Sequence, residues 1–132
     1  MYKLKIITNF SAAHFLRGYK GKCENLHGHN WKVEISVSSE GLDSLGMVID
    51  FSDLKKLAKE VISGLDHKNL NELGYFSSDK ETALGPDGRN PSSEEIARYV
   101  FNELKPKVSD KGCLLNEVAV WETETSCAAY SE

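Results

Sequence analysis

The chain has 132 residues, of which 40% are apolar and 27% charged, the make-up of one globular domain, and this excludes intrinsic disorder and argues against two domains. A net charge of -4 gives no electrostatic footprint for nucleic acid, while leaving room for a locally basic pocket that takes an anionic substrate. Cys23, Cys113 and Cys127 are odd in number and lack a CxxC spacing, which speaks against a disulfide framework or a four-cysteine zinc site and fits reducing surroundings.

Met1-Tyr2-Lys3-Leu4-Lys5-Ile6-Ile7 lacks the unbroken apolar run of a signal peptide, and no stretch approaches the length of a membrane span, so a cytoplasmic protein with no membrane partner is expected. Tyr2, Leu4 and Ile6 alternate with Lys3 and Lys5 as in a half-buried strand. The same parity continues through Phe10, Ala12 and His14, so that without a bulge His14 ends on the core face. Arg17 to Lys22 holds Gly18 and Gly21 and reads as a loop, letting residues 2–15 and 27–38 pair antiparallel and bringing His14 beside His27 and His29. In the second strand Trp31, Val33, Ile35 and Val37 share the parity of His27 and His29, whereas Lys32, Glu34, Ser36 and Ser38 take the other side. The two histidines therefore sit at the mouth end of a buried face.

A turn at Gly41 to Gly46 leads to a short third strand predicted at Met47-Val48-Ile49-Asp50-Phe51. Ser52 or Asp53 caps a helix with Leu54, Leu57, Ala58, Val61, Ile62 and Leu65 inward, stopping near Gly64. The stretch from Leu65 to Asn71 reads as too polar for core, and residues 74–90 as an exposed, mobile loop. Ser92 and Glu95 have capping-box spacing at the start of a second helix, which buries Ile96, Ala97, Val100, Phe101 and Leu104 and ends at Pro106. Leu114 to Thr123 is the last long strand, with Val118, Val120 and Glu122 on one face and Ala119 and Trp121 on the other. Ala128 to Tyr130 returns as a short partner. With no internal repeat and no linker, residues 1–132 are expected to form a single α+β domain with helices on one face of a largely antiparallel sheet.

The chemistry concentrates at Cys23-Glu24-Asn25-Leu26-His27-Gly28-His29, where a thiol, a carboxylate and two imidazoles fall within one short stretch. Two histidines on one side of an extended segment suit two ligands of one metal ion; the competing reading is a pair of turn histidines bonded to backbone. His14 is either a third ligand or a satisfied half-buried residue. Three histidines with no further strong ligand describe a zinc site with an open position, where the ion polarises a carbonyl or hydroxyl oxygen. Cys23 is either a thiolate base or nucleophile beside the cation, or an inert buried thiol. Asp66 and His67 are either a proton-handling pair or a helix-end histidine favoured by the helix dipole. Glu122 either grips a ligand with amidine-like N–H groups or closes an internal salt bridge.

Phe10-Ser11-Ala12-Ala13-His14, Cys23 to His29, Leu65-Asp66-His67, Asn90-Pro91-Ser92-Ser93-Glu94 and Trp121-Glu122-Thr123 resemble, in that order, the motifs of the 6-pyruvoyltetrahydropterin synthase / 6-carboxytetrahydropterin synthase family. The resemblance spans nearly the whole chain. It implies a tunnelling fold (T-fold): subunits closing into a barrel as trimers, and two barrels stacking as a homohexamer. It also implies Zn2+ on His14, His27 and His29, a proton-abstracting Cys23, a relay of Asp66 and His67, a pterin ring anchored by Glu122, and sites lying between subunits. The spacing resembles the Cys-x3-His-Gly-His pattern of the carboxy synthases of queuosine biosynthesis. Through Glu24 it also satisfies the Glu-x2-His-Gly-His pattern of relatives that cleave dihydroneopterin for folate. One departure is Phe15, where many relatives carry Arg after the first zinc histidine, which shifts expected phosphate recognition to Arg17, Lys20 or Lys22. A second is the length of the segment 74–90.

The expectation is thus a zinc-dependent lyase that converts 7,8-dihydroneopterin triphosphate to 6-carboxy-5,6,7,8-tetrahydropterin. Cleavage of 7,8-dihydroneopterin with Glu24 as base is the alternative or additional activity. Competing from other classes are a non-catalytic pterin-binding T-fold protein with structural zinc and an assembly protein whose histidines take adventitious metal.

Overall fold

Apolar and polar residues largely alternate over residues 2–14 and again over residues 27–39, and this pattern builds two long strands. In the computed structural model, which describes residues 1–76 and 89–132, β1 (Tyr2–His14) and β2 (His27–Ser39) pair antiparallel without a break from Tyr2 opposite Ser39 to His14 opposite His27. A slip of one residue would turn Ile6, Phe10, Trp31, Val33 and Ile35 out to solvent, so burial of one face fixes the register. The helix α1 (Phe51–Ile62) follows, then β3 (Lys68–Asn69), α2 (Ser93–Ser109), β4 (Leu114–Thr123) and β5 (Ser126–Tyr130). The strands form one mixed sheet in the order β3-β1-β2-β4-β5, antiparallel except where β3 lies parallel to β1.

Both helices cover the same face. Leu54, Ala58, Val61 and Ile62 of α1 and Ile96, Ala97, Val100, Phe101, Leu104 and Val108 of α2 join the inward residues of β1, β2 and β4 in one apolar cluster. Each of the valine, leucine, isoleucine and phenylalanine side chains among them stabilises the fold by roughly 1.5–3 kcal/mol through burial. The other face is polar: Lys5 pairs with Glu34 at 3.2 Å, Ser11 Oγ donates to Asn30 Oδ1 at 2.7 Å, and Lys32 Nζ lies 4.3 Å from the centre of the Trp121 ring.

Several local expectations are corrected. Residues 47–50 form no strand: Val48 and Ile49 pack on the core from an irregular segment, and the third strand is Lys68–Asn69, docked on the β1 edge. The cap of α1 is Asp50, whose carboxylate accepts from Ser52 N at 2.7 Å, so the helix starts at Phe51. The stretch from Leu65 to Asn71 does enter the core, because Leu65 and Leu70 anchor it and Asn71 is buried with its amide satisfied. Ser92 caps α2 as expected through Glu95 N at 3.3 Å, but the Glu95 carboxylate turns to Tyr75 and Arg98 instead of completing the box. Pro106 does not end α2; the helix runs on to Ser109, since burial of Val108 outweighs one missing hydrogen bond in the last turns. Of the expected loop 74–90, Phe76 is fully buried and Tyr75 packs beside it, while residues 77–88, with Gly85, Pro86 and Gly88, lie outside the described residues.

Candidate functional site

Because His14 ends β1 and His27 begins β2 opposite it, the two rings meet across the ladder, and His29 joins from the same face. His14 Nε2 lies 3.0 Å from His27 Nε2, and the three rings contact one another edge to face at centroid distances of 4.5 to 5.2 Å. Their orientation is set from outside. His14 Nδ1 donates to the Pro91 carbonyl at 2.6 Å and His27 Nδ1 to the Asn25 carbonyl at 2.7 Å, which leaves the lone pair of each Nε2 directed inward. Trp31 is the floor: its ring meets His14 at 4.8 Å and His29 at 5.1 Å, is stacked by Phe10, and donates its indole N–H to the Ala12 carbonyl.

Glu122 of β4 completes the cluster, with Oε1 3.0 Å from His29 Nε2 and 3.2 Å from His14 Nε2. Burial holds the His14 and His29 imidazoles below their ordinary range, against the opposing pull of the Pro91 carbonyl on the first and of Glu122 on both, so both rings are neutral near pH 7. His29 Nε2 is buried and meets Glu122 Oε1. Three inward imidazole nitrogens and one carboxylate oxygen, all within 4.8 Å of one another, fit a borderline divalent cation, and zinc matches this N/O donor set. The three histidines expected as ligands are thus brought together, and Glu122 is placed against them as well as at the adjoining cavity.

That cavity, of about 210 Å³, is lined by His14, Leu16, Cys23, Ser92, Ser93, Glu94, Glu122, Ser126, Cys127 and Ala128. Cys23 sits on a 3-10 turn at Lys22–Glu24, and its carbonyl accepts from Leu16 N at 2.8 Å, which ties the thiol's backbone to the segment after His14. Glu24 is exposed and does not line the cavity. From the sequence, Ser92, Ser93 and Glu94 read as a helix start and as part of a family motif without an assigned role; the fold turns that helix end toward Cys23.

Asp66 and His67 lie elsewhere. Asp66 Oδ1 accepts from Ser11 N at 2.9 Å, and His67 N donates to the Ser11 carbonyl at 2.6 Å, so the pair is docked on the free edge of β1. Their side chains meet at 3.0 Å between Asp66 Oδ1 and His67 Nδ1. The Ser11 amide, reinforced by His67, holds the Asp66 carboxyl below its ordinary range. His67 adopts a left-handed backbone, φ 57°, and 83% of its side chain is exposed. Within one chain neither residue lines the Cys23 cavity; His67 borders a different depression, formed with Ser11, His29, Asn30, Lys68 and Asn69, and Asp66 borders a third beside Thr8, Lys55 and Lys59.

Arg17 is not free to hold phosphate, contrary to expectation. Its guanidinium donates to the carbonyls of Phe76 at 2.6 Å, Asn71 at 3.1 Å and Arg89 at 3.4 Å. Lys20 and Lys22 are exposed on the loop before Cys23.

A five-stranded sheet with two helices on one face and a three-histidine, one-carboxylate cluster, a candidate metal group, beside a thiol-bearing cavity defines a class of small α+β proteins. The 6-pyruvoyl tetrahydropterin synthase family matches residues 3–132, and the chain belongs to that family. Among its relatives, the 6-carboxy-5,6,7,8-tetrahydropterin synthase of Haemophilus influenzae is 37% identical over the whole of both chains. That of Bacillus subtilis is 33% identical over 98% of this chain and 84% of its own. In three dimensions the chain resembles the 6-pyruvoyl tetrahydropterin synthase of Caenorhabditis elegans, with a TM-score of 0.79 and 29% identity over 99% of this chain and 95% of that one. The Plasmodium falciparum enzyme gives a TM-score of 0.71 at 26% identity over 99% and 97%. The fold is the T-fold, and the chain is a tetrahydropterin-synthase relative whose named homologues support a pterin-processing lyase.

Proposed function

We propose that this protein is a zinc-dependent carbon–carbon lyase that converts 7,8-dihydroneopterin triphosphate and one water to 6-carboxy-5,6,7,8-tetrahydropterin, releasing acetaldehyde and triphosphate, as a step toward queuosine. The observation that carries it is the Cys23 thiol lining one cavity with His14 and Glu122, while Glu24 stays outside. Relatives named 6-carboxy-5,6,7,8-tetrahydropterin synthase support the same choice.

His14, His27 and His29 would hold the zinc ion, which when bound would supply Lewis-acid polarisation of the substrate's side-chain oxygens. With zinc on the three histidines, Glu122 would turn from His14 and His29 to anchor the N–H groups of the pterin ring by paired charge-assisted hydrogen bonds. Cys23 takes a proton from the side chain on the cavity side. His67, oriented by the ionised Asp66, moves protons on the other.

The last assignment requires two chains. The Cys23 cavity reaches Ser126, Cys127 and Ala128 of β5, one outer strand of the sheet, whereas Asp66 and His67 are docked on β1 near the opposite edge. Closing such sheets edge to edge into a barrel sets the dyad of one copy beside the cavity of the next and removes both open edges. A trimeric barrel, doubled to a homohexamer, is the assembly we assign. The cytoplasm is its compartment; among the described residues no helix is long and apolar enough to cross a membrane.

The test is to incubate the zinc-loaded protein with 7,8-dihydroneopterin triphosphate and follow acetaldehyde and 6-carboxytetrahydropterin together. Both should appear in equal amounts. Tight pterin binding with zinc present and no product would favour a non-catalytic binder instead.

A further inference from the structure

We propose that Asn90 is a positioning residue for the metal centre, acting through the backbone of Arg17 and the carbonyl of Pro91 on the orientation of His14. This rests on the zinc reading given above. β1 ends at His14, and the backbone that follows would lose its ladder partners there. Two amide side chains replace them. Asn71 accepts from Phe15 N at 2.9 Å and donates to the Phe15 carbonyl at 3.0 Å, and Asn90 does the same for Arg17, accepting at 2.9 Å and donating at 3.0 Å. Each amide imitates one residue of a neighbouring strand.

The Asn90 clamp differs from its twin in what comes next. The following residue, Pro91, is buried and presents the carbonyl that receives His14 Nδ1–H at 2.6 Å. His14, Phe15, Leu16 and Arg17 on one side and Asn90 and Pro91 on the other therefore form a closed circuit, with hydrogen bonds at both ends. The proline stiffens it, since its ring fixes its own φ and confines the preceding residue to extended geometry. The same segment carries Leu16 N–H to the Cys23 carbonyl, so ligand and thiol share the mounting. Asparagine is required because both arms are used: an aspartate keeps the acceptor for Arg17 N but sets a carboxylate oxygen against the Arg17 carbonyl.

Groups that orient a metal-bound histidine through its other ring nitrogen typically change metal affinity about 10- to 100-fold when removed. The experiment measures zinc affinity of the apo-protein by competition with a chromophoric chelator, and the visible absorption of the Co2+-substituted protein, for wild type, Asn90→Asp, Asn90→Ala and Val108→Ala. Val108 is buried near the far end of α2 and serves as a control for loss of stability alone. The expected result is zinc bound about 10- to 100-fold more weakly by Asn90→Ala, a smaller loss in Asn90→Asp, altered Co2+ bands in both, and unchanged affinity and bands in Val108→Ala despite a lower melting temperature. Wild-type affinity in both Asn90 variants, or an equal loss in Val108→Ala, overturns the inference and leaves the zinc reading standing. A wild type that takes up no stoichiometric zinc overturns both.

Discussion

His14 Nε2 and His27 Nε2 face each other at 3.0 Å although each ring already donates its Nδ1 proton to a backbone carbonyl, of Pro91 and Asn25. Two lone pairs at that distance repel unless a proton or a cation lies between them, and burial holds the His14 imidazole toward its neutral form. Replacing any one of His14, His27 or His29 by Ala is therefore expected to abolish stoichiometric zinc, read by elemental analysis after dialysis. Chelation of the wild type should lower its stability by about 2.7 kcal/mol relative to protein held at free zinc one hundred times Kd, visible as a drop in melting temperature. Equal melting temperatures with and without zinc would contradict this.

Arg17 spends its guanidinium on three main-chain carbonyls. Arg17→Ala leaves these partly buried acceptors without their donor, at roughly 1–3 kcal/mol, so denaturant unfolding should show a clear loss of stability. KM for the triphosphate substrate should change little. A rise in KM with unchanged stability would return Arg17 to phosphate binding.

The Asp66 carboxyl is held below its ordinary value of 3.8 chiefly by Ser11 N–H. A depressed carboxylate contributes stability that is fully present above the ordinary value and is lost as pH falls through the lower folded one. Docking of residues 66–69 on β1 should accordingly persist at pH 5 and weaken only below about pH 4. Amide exchange at Ser11 and His67 measures it: protection lost already between pH 7 and 5 would contradict the assignment.

If His67 serves the cavity of a neighbouring copy, Cys23→Ala and His67→Ala proteins should each lose roughly 10²- to 10⁴-fold in turnover. Dissociated and reassembled together, they should regain a fraction of wild-type activity, since some sites then combine an intact thiol with an intact histidine. No recovery in mixed assemblies confirmed by native mass spectrometry would place the dyad in its own chain's site.

Much of this was legible because the strands alternate strictly. Parity alone set His14, His27 and His29 on the face of Phe10, Trp31 and Val33, and the antiparallel register put them side by side. Less legible were features in which tertiary contacts overrule local signals. Val48 and Ile49 look like strand residues, yet they pack on the core from an irregular segment; Pro106 looks like a stop, yet Val108 has a core site to fill. Arg17 looked free because nothing local shows that carbonyls from Asn71, Phe76 and Arg89 converge on it. The same holds for Glu122: strand parity gave its face, but its approach to His29 depends on the β2–β4 pairing. Asp66 and His67 were visible as a pair, while their separation from Cys23 required the whole sheet order.

The claim that Cys23 rather than its neighbour Glu24 is the base for carboxytetrahydropterin formation is tested most directly by product profiles. Zinc-loaded wild type, Cys23→Ala and Glu24→Ala are each given 7,8-dihydroneopterin triphosphate and, separately, 7,8-dihydroneopterin, and the pterins are resolved by chromatography. 6-Carboxytetrahydropterin is expected from wild type and Glu24→Ala and none above background from Cys23→Ala, with any 6-hydroxymethyldihydropterin lost in Glu24→Ala. Carboxytetrahydropterin formation that survives in Cys23→Ala, or that disappears equally in both variants, would contradict it.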